Sequence, residues 1–144
     1  MQKSKKILIV EDNKSLREML QYALKLSGYG VETACDGLSG LKKLEEDSFD
    51  LLITDNHMPR MGGLELIGEL SKRELDIKTL LISGDLTRDI LEEAKSKEVF
   101  SCLDKPFSIN ILRETIIKAL AQDEVANRQY NFNLQPQVLE AAAV

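Results

Sequence analysis

Short apolar runs rich in β-branched residues alternate with longer stretches of helical spacing. That alternation predicts a parallel sheet covered by helices on both faces. The first run, Ile7 to Val10, lacks the in-and-out rhythm of a half-exposed strand and reads as one buried on both sides. Asn13 or Ser15 then caps a helix whose Leu16, Leu20 and Leu24, with Ala23 beside them, form the inward stripe to about Ser27, where Gly28 stops it. Val31 to Ala34 is the second strand. Leu38, Leu41 and Leu44 space a second helix that ends before Phe49. Leu51 to Thr54, the most apolar run, is expected at the centre of the sheet.

A loop from Asp55 to Gly62 follows, carrying Pro59 and ending in Gly62 and Gly63, which loosen the backbone where the third helix begins near Leu64. That helix runs to Leu70 or Lys72, and Ile77 to Ile82 is the fourth strand. Asp85 or Thr87 caps a fourth helix ending near Ala94, the weakest of the set because its contacts come only from Leu86, Ile90, Leu91 and Ala94. The fifth strand is Val99 to Leu103. Ser108 caps a last helix with Ile109, Leu112, Ile116 and Leu120 on one side and Ile111 and Ile117 off the stripe, exposed or half-exposed. From about Asp123 the periodicity fades, so residues 123–144 read as a tail or the start of a linker.

A length of 144 residues suits one domain. The formal charge of −5 argues against a basic nucleic-acid-binding surface, and Lys3, Lys5 and Lys6 read as a solvated end. Cys35 and Cys102 lack metal-ligand spacing and are expected as reduced thiols in a cytoplasmic protein. No apolar run approaches the roughly 18 residues of a membrane span, so no membrane association is expected.

Candidate chemistry sits at the strand ends. Glu11 and Asp12 follow the first strand, Asp55 the third, Ser83 the fourth and Lys105 the fifth. In an open parallel sheet these ends share the edge where ligands bind. Three carboxylates a few ångströms apart repel one another unless a cation offsets them, and a hard divalent ion such as Mg²⁺ takes oxygen ligands of this kind.

The pieces Ile-Leu-Ile-Val-Glu11-Asp12-Asn13, Leu-Leu-Ile-Thr-Asp55-Asn-His-Met58-Pro59, Gly62-Gly63, Leu-Ile-Ser83-Gly84 and Lys105-Pro106-Phe107 stand in an order that resembles the receiver domain of two-component response regulators. Each piece alone is weak, and their combination is specific. The resemblance implies a receiver domain over residues 5–122 and a flavodoxin-like (βα)5 three-layer sandwich with strand order 2-1-3-4-5. It implies a phosphoacceptor role for Asp55, which takes a phosphoryl group from a histidine kinase or histidine phosphotransfer protein. It further implies Mg²⁺, for which Mn²⁺ could substitute, held by Asp12, Asp55, the main-chain carbonyl of His57 and, through water, Glu11. The family often has aspartate where Glu11 stands. Lys105 would offer a compact cation to the phosphoryl group, and Ser83 would move to bond it as a switch. Pro106 would follow a cis bond that aims Lys105 inward, while Pro59, Gly62 and Gly63 shape the loop. The surface expected to change is that of helix 4, strand 5 and helix 5, where receivers dimerise or meet a downstream partner.

Cys102 departs from the pattern, since receivers usually carry a switching tyrosine or phenylalanine there; a thiol is too small to report by swinging and is also a good small buried hydrophobe. His57, the only histidine, either overhangs the phosphorylation pocket and sets the lifetime of the phosphoryl group or faces solvent. The leading reading is a signalling switch that catalyses its own phosphorylation and dephosphorylation and is otherwise no enzyme. The alternative is a phosphorylation-independent interaction module of the same fold. A flavin protein is disfavoured because Glu11 and Asp12 stand where a phosphate-cradling glycine loop would lie.

Overall fold

The computed structural model describes residues 4–121. Strands β1 (Lys6–Val10), β2 (Gly30–Ala34), β3 (Leu51–Asp55), β4 (Lys78–Ser83) and β5 (Ser101–Asp104) alternate with helices α1 (Lys14–Leu26), α2 (Gly37–Glu46), α3 (Gly63–Lys72), α4 (Arg88–Ser96) and α5 (Ile109–Ala121). All neighbouring strands are parallel and their order is β2-β1-β3-β4-β5, the flavodoxin-like order expected, with β3 central. The chain leaves β1 for β2 and returns to β3, so the crevice between β1 and β3 is the topological switch point. The residues 123–144 read as a tail, and Lys3, lie outside the described residues.

Strand alternation sorts the apolar side chains into two layers. Ile7, Ile9, Leu51, Ile53, Leu80, Ile82 and Leu103 face Leu20 and Leu24 of α1 and Leu112, Ile116 and Ala119 of α5. On the opposite face Leu8, Val10 and Leu52 meet Leu41, Leu44, Leu66 and Leu70 of α2 and α3. There too Leu81 and Cys102 meet Leu64, Ile67 and Ala94 of α3 and α4. Every residue of β3 is buried, as its apolar run predicted.

Local signals set the helix boundaries. Asn13, Thr87 and Ser108 cap α1, α4 and α5 by accepting the N–H of Leu16, Ile90 and Ile111. Gly28 ends α1 at a φ of 95°, and its place after α3 and α4 is taken by Glu74 and Glu98 at φ 55° and 61°. In all three the next N–H closes back onto the helix: Tyr29 to Leu24 O, Leu75 to Leu70 O and Val99 to Ala94 O.

Three expectations change. Leu38 is 46% exposed, and α2 instead seats Gly40 close to β1, where a Cβ would come 2.8 Å from Val10 Cγ2. Lys6 is no solvated end: its ammonium pairs with Glu32 and Asp47 and lies 4.7 Å from the Phe49 ring centroid. Strand β5 begins at Ser101, because Val99 closes the end of α4 while Phe100 N–H bonds Thr79 O. Ile111 is half-buried and Ile117 is 60% exposed, as their positions off the α5 stripe required. Among the described residues, no helix is long and apolar enough to cross a membrane.

Candidate functional site

The alternation that builds the α1/α5 layer also assembles the site. Glu11, Asp55 and Lys105 each lie two residues beyond a member of that layer, Ile9, Ile53 and Leu103. The same side of the sheet therefore turns polar at its carboxyl edge. Lys105 Nζ lies 2.8 Å from Glu11 Oε1 and 3.3 Å from Asp55 Oδ2, so it reaches from the end of β5 past β4 to the ends of the neighbouring strands β1 and β3. Carboxylate oxygens of Glu11, Asp12 and Asp55 lie within 4.8 Å of one another.

Glu11 is fully buried and Asp55 is 4% exposed, while Asp12 is open to solvent. Burial pushes both buried carboxyls above the ordinary carboxylate range, although Lys105 pulls each of them the other way. Burial works against the charged form of Lys105 as well, but the hydrogen bond to Glu11 and the nearby charge of Asp55 outweigh it and hold its pKa above the usual lysine value. One ammonium facing three carboxylates leaves a deficit of positive charge. Hard oxygen donors, close spacing and that deficit are what a divalent cation such as Mg²⁺ fits.

Hydrogen bonds fix Glu11: the Asn13 N–H donates to its Oε2 at 3.0 Å and Arg17 Nη1 donates to its main-chain oxygen at 2.9 Å. The cis peptide at Lys105–Pro106 follows directly on β5. Ser83 is the buried last residue of β4, paired with Asp104; its hydroxyl accepts the N–H of Asp85 and its carbonyl accepts the N–H of Lys105.

The glycines act by close approach. Gly62 has an ordinary φ of −79°, and a Cβ there would lie 2.4 Å from Asn56 O. At Gly63 it would lie 2.4 Å from Asp55 O. The loosened backbone expected at these positions is thus replaced by a steric need. Asn56 carries the turn: its oxygens accept Gly63 N–H and Leu64 N–H, and its own N–H donates to Ile82 O. Pro59 O accepts Met61 N–H at 2.8 Å.

His57 is exposed, with Nε2 3.8 Å from Asp85 Oδ2, so its side chain spans from the loop after β3 to the loop after β4. Cys102 is fully buried among Leu81, Leu64 and Ala94, and burial pushes its thiol up to about 12, while Cys35 is exposed. Two residues absent from the sequence reading join the surroundings. Asp36 caps α2 by accepting Ser39 N–H at 2.8 Å, and Arg60 of the β3–α3 loop pairs with the same carboxylate. The cap had a legible Asp-Gly signal, but a partner 24 positions away had none.

The response regulator receiver domain profile matches residues 7–117. The receiver protein CpdR of Brucella abortus is 34% identical over 116 residues, covering 81% of this chain and 97% of CpdR. The regulator PhoP of Bacillus subtilis is 32% identical, covering 85% of this chain but 51% of PhoP, so the chain spans about half of that relative. Among solved structures, CheY4 of Vibrio cholerae is similar with a TM-score of 0.78 and 31% identity, covering 82% of this chain and 100% of CheY4. TrrA of Thermotoga maritima, in complex with Mg²⁺–BeF, has a TM-score of 0.73 and 33% identity, covering 81% and 99%. The fold, the acidic edge and these likenesses agree, and the chain belongs to the response regulator receiver domain family, the phosphoacceptor switch modules of two-component signalling.

Proposed function

We propose that this protein is a phosphorylation switch in which Asp55 accepts a phosphoryl group from a histidine kinase or phosphotransfer protein. A carboxylate oxygen of Asp55 forms the new O–P bond while the P–N bond of the phosphohistidine breaks, leaving its electron pair on the imidazole. The observation that carries this reading is the convergence of Asp55 with Glu11, Asp12 and Lys105 at one strand edge. The site would take Mg²⁺, or Mn²⁺ in its place, whose charge would offset that on the transferring oxygens. Asp12, Asp55 and the His57 carbonyl would hold it directly and Glu11 through water; the close-set carboxylates support a divalent ion here, and the similar TrrA is a complex with Mg²⁺–BeF.

The remaining residues orient and report. Lys105 lies 3.3 Å from Asp55 and supplies a fixed cation to the arriving group. Ser83 gives up the Asp85 N–H to donate its hydroxyl proton to a phosphoryl oxygen, a charge-assisted bond worth about 1.5–3 kcal/mol. That is enough to tilt two states separated by a similar gap. The loop after β4 follows Ser83 and alters the face of α4, β5 and α5, where a second copy or a downstream protein docks. The working compartment is the cytoplasm, and neither nucleic acid nor membrane is a direct partner of this segment.

Incubation with Mg²⁺ and acetyl phosphate, followed by intact mass measurement, tests the assignment: a gain of about 80 Da, absent from Asp55→Ala, is expected. A wild-type protein that stays unmodified would favour the second reading, a phosphorylation-independent docking module. Cys102 favours that reading, since a thiol packed inside the core has no ring to swing.

A further inference from the structure

We propose that Arg60 and Asp36 form a clamp that positions the β3–α3 loop for the divalent cation, making Arg60 a positioning residue that never touches the ion. This rests on the metal-assisted reading of the site. The loop over 56–62 carries the His57 carbonyl and is tied down on two sides. On the inner side Asn56 holds the start of α3 through Gly63 N–H and Leu64 N–H. On the outer side it is tied to the start of α2. Gly37 N–H donates to Met61 O at 3.2 Å, so close that a Cβ on Gly37 would come 2.3 Å from that oxygen. Beside it the Arg60 guanidinium pairs with Asp36, whose side chain is 2% exposed. His57 lies between the two ties.

The chemistry favours a firm contact. The Asp36 side chain is almost fully buried, its Oδ1 accepts Ser39 N–H, and Oδ2 has only the weak thiol donor of Cys35 at 3.7 Å besides Arg60, so a cation there matters more than it would to a surface carboxylate. The hydrogen bond from Ser39 and the pairing with Arg60 hold its carboxyl below the usual range despite burial. Arg60 reaches it from a backbone φ of 68°, a left-handed conformation that costs a non-glycine residue energy and that the pairing helps to maintain. Asp36 is at the same time the cap of α2, so the clamp ties loop geometry to a helix end rather than to a mobile side chain.

Variants at Arg60 separate the side chain from the backbone. Glycine and asparagine both accept a positive φ, so Arg60→Gly and Arg60→Asn remove the clamp with little added strain. Calorimetric titration with Mg²⁺ should show binding about three- to fivefold weaker in both, the range open to one partly exposed ion pair. Arg60→Lys, which keeps the charge, should stay within about twofold of wild type. Melting curves should show all three folded, and the acetyl phosphate rate at saturating Mg²⁺ should change less than about twofold, because Asp55 and Lys105 are untouched. Unchanged Mg²⁺ affinity in the glycine and asparagine variants overturns the clamp, as does a lysine variant as weak as glycine. Should the wild type bind Mg²⁺ with this pattern and never take up a phosphoryl group, the clamp stands and the switch reading falls.

Discussion

Asparagine in place of Asp55 keeps the side chain's size and removes its charge, and in the absence of divalent ions it is expected to stabilise the fold. The oxygens of Glu11, Asp12 and Asp55 lie within 4.8 Å of one another. At an effective dielectric of about 20, each pair repels by roughly 3–4 kcal/mol. Lys105 offsets part of this, since its 3.3 Å separation from Asp55 corresponds to roughly 5 kcal/mol of attraction on the same scale. Neutralising Asp55 removes two repulsions and one attraction, leaving about 2 kcal/mol in favour of the variant. Asp12 is exposed and its share is screened, but neutralising Asp55 also removes the desolvation cost of its buried charge, so a gain of about 1–2 kcal/mol and a Tm rise of about 3–8 °C is expected.

Far-ultraviolet circular dichroism melts in chelator suit a chain without tryptophan. Adding Mg²⁺ should raise the wild-type Tm and raise that of Asp55→Asn less, because an ion that binds only the folded state stabilises it by mass action. The pH dependence has a definite sign. Burial raises the Asp55 carboxyl in the folded state, so its contribution to stability is full below the ordinary carboxyl pKa of about 4 and is lost as pH rises through the raised value. The advantage of asparagine should therefore be small near pH 4 and grow toward neutrality. A variant no more stable than wild type at neutral pH in chelator, or one whose gain is largest in acid, refutes the electrostatic account.

Gly63→Ala should destabilise by about 3 kcal/mol in denaturant titration, because its Cβ would meet Asp55 O at 2.4 Å and must displace the main chain at Asp55; a loss under about 0.5 kcal/mol would show that the turn yields. Alkylation by iodoacetamide should add one group per folded chain, on exposed Cys35, and a second only in denaturant, since Cys102 is buried with its thiol at about 12. Peptide mass mapping that finds Cys102 modified under native conditions would mean that β5 opens more readily than its packing implies.

The local signals were legible because they act over a few residues. Asn13, Thr87 and Ser108 cap where a short polar side chain precedes an apolar stripe, and the structure decides between Asn13 and Ser15, and between Asp85 and Thr87. The strands were legible because β1, β3 and β4 are buried on both faces and so are nearly continuous apolar runs. Leu38 misled for a related reason. Helical spacing marks a face, but only the packing shows that α2 presses Gly40 against Val10 and leaves Leu38 outside. The spacing near Gly62 and Gly63 pointed to flexibility, whereas carbonyl oxygens 2.4 Å from the missing Cβ atoms supply the reason.

By itself the sequence determined which residues could do chemistry and at which end of each strand they stand, because period-two alternation and capping are properties of neighbours along the chain. Only the tertiary structure decided how the charges are shared. Lys105 divides itself between Glu11 and Asp55, 94 and 50 positions away, and Arg60 of the β3–α3 loop finds Asp36 at the start of α2. Such pairings depend on the distance between strand and loop ends in a folded sheet, and electrostatic energy follows that distance, which residue order alone does not encode.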